Sequence, residues 1–231
     1  MTVAAVILAA PAESALADAA GVPRVRRIAD AAWSGGALPI IVLVAPDPEG
    51  TVAAALSGAP VTLAAPAPME GGPVAHIVRG MEIAADEVKG TTAALIWPAR
   101  LCWVGPETIT SLVEAHGPYP RALLRPTFHG KSGWPVLLPL DALDALRELP
   151  ATATPGVLLD LLVAAGAVAT REIDLGDPGT VIDGATARAD LPPYEGPAEP
   201  TGGHEWGAAL ASMPDDAPLE RPTRAGEPVE S

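Results

Sequence analysis

Cysteine is nearly absent from this sequence, since Cys102 is the single one among 231 residues. One cysteine excludes an intrachain disulfide and offers no metal-ligand spacing. We therefore expect Cys102 to be a small, buried, apolar residue. Such sparing use of cysteine fits a reducing compartment, and we expect a cytoplasmic protein.

Positive charge is scarce as well. Lys89 and Lys131 are the only lysines, no basic run occurs, and the formal net charge is −14. Nucleic acids and anionic membranes both require a cationic face on their partner. The composition therefore argues against both as partners.

Long apolar runs are also missing. The longest early run, residues 3–10, holds eight residues and is much too short to span a bilayer. A signal peptide is the competing interpretation, because residues 14–17 resemble a cleavage site. However, no lysine or arginine precedes Arg24, so the positive region that opens such a peptide is missing. We expect no secretion.

What the sequence does contain is an alternation of strand and helix patterns, typical of an α/β fold with a parallel sheet covered on both faces. The expected strands are residues 3–8, 38–45, 61–63, 93–97, 122–125, 135–138 and 168–175, with a further extended piece at 180–183. The expected helices are residues 22–34, 51–56, 73–88, 106–116, 140–149 and 155–165, with a terminal helical turn at 185–190. Residues 13–20 are open between a loop and a short helical turn, and residues 128–134 form a tight turn.

The segment 93–109 organises this pattern. A buried strand ends near Trp97, and a helix begins at Gly105 and Pro106, where proline is favoured at a first helical position. Open α/β sheets bind ligands at the carboxyl ends of their strands. Arg100 lies in the intervening loop, at the expected ligand edge.

After Leu191 the composition changes to eight prolines and eight acids against two arginines. Such a segment cannot bury enough apolar surface to offset its ordering entropy. We predict a domain over residues 1–191 and a mostly disordered acidic tail over 192–231. A short apolar island around Trp206 has two open interpretations, docking on a surface or an occasional tryptophan in a tail.

Five segments in order resemble the MobA-like NTP transferases, the molybdopterin guanylyl- and cytidylyltransferases. They are Val-Ile-Leu-Ala-Ala at 6–10, the segment 71–81 that begins Gly-Gly-Pro-Val-Ala-His, Leu-Ile-Trp-Pro at 95–98, the Pro-Thr and Gly-rich turn at 125–136, and the acidic segment at 177–183 followed by Asp-Leu at 190–191. The resemblance implies a three-layer Rossmann-like nucleotidyltransferase fold with a mostly parallel central sheet. It also implies a nucleotide-binding role for Ala10, Pro11, Arg24, Gly71, Gly72 and Arg100.

The sequence departs from the family pattern at the positions that carry the chemistry. Pro11 replaces the first glycine of the nucleotide loop and donates no hydrogen bond, and Glu13 adds negative charge there. Arg100 takes the place of the first metal-binding aspartate and Ala185 that of the second acid. Asp183 is left as a vestigial metal ligand.

These departures favour a pseudoenzyme, a non-catalytic member of the family that binds a nucleotide or a protein partner without a cofactor. We name no catalytic residue. The alternative is an active enzyme that uses Mg²⁺ to move a nucleotide from CTP or GTP to molybdopterin, on the pathway to molybdenum cofactor, or to a related acceptor. A third interpretation is another activity on the same scaffold, because a fold does not determine function. His129, in the Gly-rich turn, is a further candidate for binding.

Overall fold

The computed structural model describes residues 2–45 and 49–197, which contain an eight-stranded central sheet. Strand β1 (Thr2–Leu8) lies inside the sheet, and every residue from Val3 to Ile7 is buried, as expected for a strand covered on both faces. The other strands of the sheet are β4 (Ile40–Leu43), β5 (Thr62–Ala64), β6 (Thr91–Pro98), β7 (Ala122–Phe128), β8 (Lys131–Ser132), β9 (Val136–Pro139) and β10 (Ala169–Asp174), with β1 at Thr2–Leu8. Two short strands, β2 (Asp18–Ala19) and β3 (Val22–Pro23), form a separate hairpin.

The strand order is β10-β7-β9-β6-β1-β4-β5, with β8 paired to β7. Strands β6, β1, β4 and β5 run parallel, and so do β10 and β7, whereas β9 is antiparallel to both of its neighbours. Leu8 at the end of β1 is in register with Leu43 on β4 and with Pro98 on β6. The carboxyl ends of three strands therefore meet at one edge of the sheet.

Helices cover both faces of the sheet. They are α1 (Ala12–Leu16), α2 (Arg24–Ser34), α3 (Thr51–Ala55), α4 (Gly72–Glu87), α5 (Pro106–His116), α6 (Leu143–Arg147) and α7 (Pro155–Ala164). Val3, Ala5 and Ile7 of β1 join the core under α2 and α5, while Ala4 and Val6 join the core under α4, α6 and α7. This alternation follows from the two-residue period of a strand, and it confirms the predicted three-layer α/β architecture.

Most predicted elements are present with small shifts of their bounds. Helix α5 begins at Pro106 and ends at His116, as predicted. Residues 13–20 contain both α1 and the β2 strand, and the following helix α2 begins at Arg24. The predicted turn at 128–134 is a hairpin whose two turn residues, His129 and Gly130, have φ of 48° and 73°, as a two-residue type I′ turn requires.

Three predictions near the end of the domain were wrong in detail. Residues 180–183 are not a strand: a 3₁₀ turn spans Pro178–Thr180, because Asp177 accepts a hydrogen bond from the Gly179 backbone N–H. The predicted helical turn at 185–190 is reduced to a 3₁₀ turn at Arg188–Asp190. The predicted helix 140–149 is a 3₁₀ turn, Leu140–Ala142, followed by the short α6.

The compact unit extends to Pro197, six residues past the predicted boundary. We call residues 191–197 the C-terminal strap. In this strap the Glu195 N–H donates a hydrogen bond to the Gly176 carbonyl over 2.8 Å. The rest of the predicted tail, including Trp206, lies outside the described residues. In the part of the chain that the structure describes, no helix has the length and apolar content needed to cross a membrane.

Candidate functional site

A cavity of about 500 Å³ opens where β1, β4 and β6 end. Leu8, Leu43 and Pro98 line it from these strand ends, and Gly72 and Pro73 line it from the first turn of α4. Pro155, the first residue of α7, closes another side. The cavity lies at the sheet edge where the sequence placed the ligand site, and its volume is typical of small-molecule sites, which span about 300–1,000 Å³.

The wall of this cavity is mainly apolar, and its polar side chains are few. The apolar lining residues are Leu8, Ala10, Pro11, Leu43, Pro66, Met69, Pro73, Pro98, Ala99 and Pro155. Side chains with polar atoms come from Ser14, His76 and Arg100, and none of the described lining residues is acidic. An apolar wall with a few polar groups suits a ligand that joins a flat apolar body to a small number of polar or anionic groups.

His76 lies on the first full turn of α4, four residues after Gly72. Its Nδ1 is 3.0 Å from the Gly72 carbonyl oxygen. Because a carbonyl can only accept, Nδ1 carries the hydrogen and donates it. Burial lowers the pKa of His76 below its ordinary value, so the imidazole is neutral at pH 7, with Nε2 as an acceptor.

The backbone at Gly72 holds this arrangement in place. Gly72 has φ of 61°, and a Cβ built there would lie 1.9 Å from the Ala151 carbonyl oxygen. No side chain fits this close approach, and a positive φ favours glycine. The packing of Ala151 against position 72 therefore requires glycine at the residue whose carbonyl contacts His76.

Arg100 follows β6 and forms an ion pair with Asp183, the residue predicted to be a vestigial metal ligand. Its Nη1 lies 3.4 Å from Asp183 Oδ2, and the two side chains are 54% and 42% exposed. The other carboxylate oxygen, Oδ1, accepts the Ala185 N–H over 2.9 Å. The Arg100 carbonyl accepts the Gly184 N–H over 2.7 Å, so backbone and side chain both join the two segments.

Arg24 lies behind this loop and does not line the cavity. A Cβ built at Gly184 would approach Arg24 Nε to 2.9 Å and Cys102 Sγ to 2.6 Å, so these groups pack closely together. Arg24 Nε is buried and has no hydrogen-bond partner among residues 2–45 and 49–197. Burial raises the pKa of the Cys102 thiol, and the nearby Arg24 opposes this shift. The buried position agrees with the expectation for Cys102.

Asp177 fixes the other end of the same segment. It is 2% exposed, and its Oδ2 accepts the Gly105 N–H over 3.0 Å and the Thr108 hydroxyl over 2.6 Å. Its Oδ1 accepts the Gly179 N–H over 2.7 Å. Burial raises the pKa of Asp177, and these hydrogen bonds act against the rise. We name these contacts the Asp177 clamp: they tie the start of α5 to the segment that carries Asp183.

Four of the predicted site residues, Ala10, Pro11, Gly72 and Arg100, line this cavity. Arg24 and Gly71 do not line it, and Asp183 reaches it only through Arg100. His129 is elsewhere: its ring stacks on Phe128 and its Nε2 lies 3.0 Å from Glu195 Oε2. Within the described ranges, no group of three or more His, Cys, Asp or Glu side chains is placed to hold a metal.

Sequence reasoning missed His76 and Ser14. His76 is not among the residues that the resemblance assigns to the site, yet one signal in the sequence points to the cavity. It lies in the first turn of a helix that begins with Gly72 and Pro73, immediately after a Pro-rich loop, and helix beginnings face the ligand edge of an α/β sheet.

The sequence matches the family described as MobA-like NTP transferase domain over residues 12–165. No curated protein matches it.

Solved structures resemble the chain in fold. The manganese complex of Rv0371c from Mycobacterium tuberculosis H37Rv is 18% identical, with 76% of this chain and 88% of that chain covered and a TM-score of 0.57. The 4-diphosphocytidyl-2C-methyl-D-erythritol synthase of Anaerococcus prevotii DSM 20548 is 10% identical, with 78% and 91% covered and a TM-score of 0.60. The CMP:2-keto-3-deoxy-manno-octonic acid synthetase complexed with CTP is 14% identical, with 75% and 90% covered and a TM-score of 0.53. At these identities the likeness shows the nucleotidyltransferase fold alone.

Proposed function

The chain belongs to the family of MobA-like NTP transferase domains, and we propose that it binds a nucleotide in its cavity without transferring it. The observation that carries this proposal is the ion pair between Arg100 and Asp183, at 3.4 Å. The resemblance assigns metal ligands to the positions of Arg100, Ala185 and Asp183, and these positions do lie together in space. The guanidinium of Arg100 and the methyl group of Ala185 occupy positions at which the family pattern has acidic residues.

These residues do not fit Mg²⁺. Magnesium takes about six oxygen ligands, usually including one or two carboxylates. Asp183 supplies one carboxylate, and both of its oxygens already have donors, the Ala185 N–H and the Arg100 guanidinium. A divalent ion at this place would also lie beside a guanidinium charge, which repels it. The donor set therefore supports a binding role and gives no route to metal-assisted phosphoryl chemistry.

The cavity supports a small ligand over a protein partner. It is concave, mainly apolar and of suitable volume, and Arg100 is the sole cation among its described lining residues. Arg100 uses one nitrogen on Asp183, which leaves further N–H donors of the guanidinium for an anion. A solved structure of similar fold is a complex with CTP. A nucleotide joins a flat base to phosphate groups, which suits an apolar wall with one cationic side chain.

Pyrophosphate release tests the proposal. The full chain is incubated with CTP or GTP, with Mg²⁺ or Mn²⁺, and with or without molybdopterin. We expect no release above a heat-inactivated control. Release that depends on active protein and metal would overturn the proposal and establish the alternative, an active nucleotidyltransferase.

Substitution of Arg100 tests the binding half of the proposal. Charge-assisted hydrogen bonds contribute about 1.5–3 kcal/mol when shielded, and exposure reduces this. We expect Arg100→Ala to weaken binding of a nucleoside monophosphate about fivefold to tenfold. The matched control is Arg121→Ala, which removes the same charge from an exposed surface pair with Asp141. Equal affinity of both variants for the nucleotide would contradict the role of Arg100.

A further inference from the structure

We infer that the cavity selects a nucleotide with a single phosphate group, so that the second and third phosphates of a nucleoside triphosphate weaken binding. This inference rests on the proposed function and adds to it the number of phosphate groups on the ligand. It departs from what the family's description implies, since an NTP transferase takes a triphosphate.

The first step is the positive charge that the cavity wall offers. Arg100 is the one cationic side chain among the described lining residues. His76 adds no charge at pH 7, because burial lowers its pKa. A phosphate monoester already carries a charge of about −1.5 to −2 at pH 7. One phosphate group therefore uses all of the side-chain charge that this wall provides, and each further phosphate adds negative charge without a cation to balance it.

The second step is the carboxylate beside that cation. Asp183 Oδ2 lies 3.4 Å from Arg100 Nη1. An anion held by the same guanidinium lies within about a Debye length of this carboxylate, roughly 8 Å at physiological salt, because both contact one small group. Repulsion between the two grows with the charge of the anion. The carboxylate therefore disfavours a triphosphate more than a monophosphate.

The third step is the backbone. Proteins commonly hold chains of phosphates with N–H groups of loops and helix beginnings. Three helices begin at this cavity, and each begins with a proline that lines it: Pro11 is the N-cap of α1, Pro73 lies in the first turn of α4, and Pro155 is the first residue of α7. Proline has no N–H to donate. At each of these three places the wall therefore lacks a donor that could compensate for the missing cations.

Two series of nucleotides test the inference, CMP, CDP and CTP in one and GMP, GDP and GTP in the other. The members of a series share base and sugar and differ only in the number of phosphate groups. The full chain is titrated calorimetrically without divalent metal. In each series that binds, the monophosphate should bind about threefold to tenfold more tightly than the triphosphate, the effect of screened repulsion between neighbouring charges. The difference should shrink at higher ionic strength.

A variant of Asp183 connects this preference to the carboxylate. Asp183→Asn keeps the size of the side chain and removes its charge. It also frees the Arg100 guanidinium for either ligand, so the readout is the ratio of the two affinities, which should fall about twofold or more. The matched control is Asp141→Asn, which removes the same charge from an exposed pair with Arg121 and should leave the ratio unchanged. Thermal unfolding of each variant verifies the fold.

Two results would overturn the inference: a triphosphate that binds the unsubstituted protein at least as tightly as its monophosphate, or a ratio that Asp183→Asn leaves unchanged. Either result leaves the proposed function intact, because a nucleotide is still bound. Absence of binding by every nucleotide of both series would reject the proposed function, and the inference with it.

Discussion

Two aspartates six residues apart, Asp177 and Asp183, have opposite surroundings. Asp177 is 2% exposed and accepts three hydrogen bonds from Gly105, Thr108 and Gly179. Asp183 has a side chain that is 42% exposed, and its ion pair with Arg100 is long, at 3.4 Å. One carboxylate is part of the folded core, and the other lies at the surface beside a cation.

The difference separates the residue that holds this segment in place, Asp177, from the residue that the resemblance connects with chemistry, Asp183. The Asp177 clamp ties the start of α5 to residues 177–183 without any contribution from the Asp183 side chain. The position of this segment therefore does not depend on the ion pair between Asp183 and Arg100.

The largest expected effect comes from breaking the clamp. Asp177→Ala leaves two backbone N–H groups and the Thr108 hydroxyl without their acceptor in a buried place. Buried unsatisfied donors cost about 1–3 kcal/mol each, partly offset because a buried charge is removed. We expect a loss of about 3 kcal/mol in the free energy of unfolding, measured by urea denaturation.

Asp183→Ala is the matched control for that experiment. It removes a carboxylate from the same segment but breaks only a half-exposed ion pair and one turn hydrogen bond. The free energy of unfolding should change by less than about 0.5 kcal/mol. Similar losses in the two variants would contradict the contrast between the two aspartates.

The comparison also shows how far the sequence alone could lead. The bounds of α5 were predicted because Gly105, Pro106 and the apolar period are local signals. Asp177 lies between Gly176 and Pro178, which are turn-forming residue types, but its partner Thr108 is 69 positions away and no local pattern reveals it. The prediction of an extended piece at 180–183 was wrong because Asp177 caps a 3₁₀ turn at Pro178–Thr180 through the Gly179 N–H.

The residues of the candidate site were likewise predictable only in part. The resemblance placed Arg100 and Asp183 at one metal position, and the structure brings them together across 83 residues. His76 was missed because the cavity that it lines is formed by segments distant in sequence, such as those that carry Leu8, Leu43 and Pro155. Contacts of this kind are tertiary, and the spacing of residues does not encode them.

A smaller effect is expected from the C-terminal strap, which lies beside the clamp. The Glu195 N–H bonds to the Gly176 carbonyl, and its carboxylate pairs with His129 at 3.0 Å. A chain that ends at Leu191 loses both contacts, so its free energy of unfolding should be about 1 kcal/mol lower. A chain that ends at Pro197 is the control and should match the full protein. Equal stability of all three chains would show that the strap does not support the clamp.

The smallest expected effect is the pH dependence of the clamp. Burial raises the pKa of Asp177, so the folded protein holds this proton more tightly than the unfolded chain does. The resulting stabilisation is present at low pH and is lost as pH rises through the raised, folded-state pKa. Asp177→Asn has no such titration. The free energy of unfolding of the unsubstituted protein, minus that of the variant, should therefore decrease as pH rises from about 4 to 7; a constant or increasing difference would contradict the shift.

Binding of Mn²⁺ tests most directly the claim that the metal position has become an ion pair. Electron paramagnetic resonance reports free Mn²⁺ in a titration of the full chain, of Arg100→Asp and of Asp183→Asn, without nucleotide. We predict no stoichiometric site in the unsubstituted protein, and one gained in Arg100→Asp, where two carboxylates then face each other. One equivalent of Mn²⁺ bound by the unsubstituted protein and lost in Asp183→Asn would contradict the account, because Asp183 would then hold a metal despite Arg100.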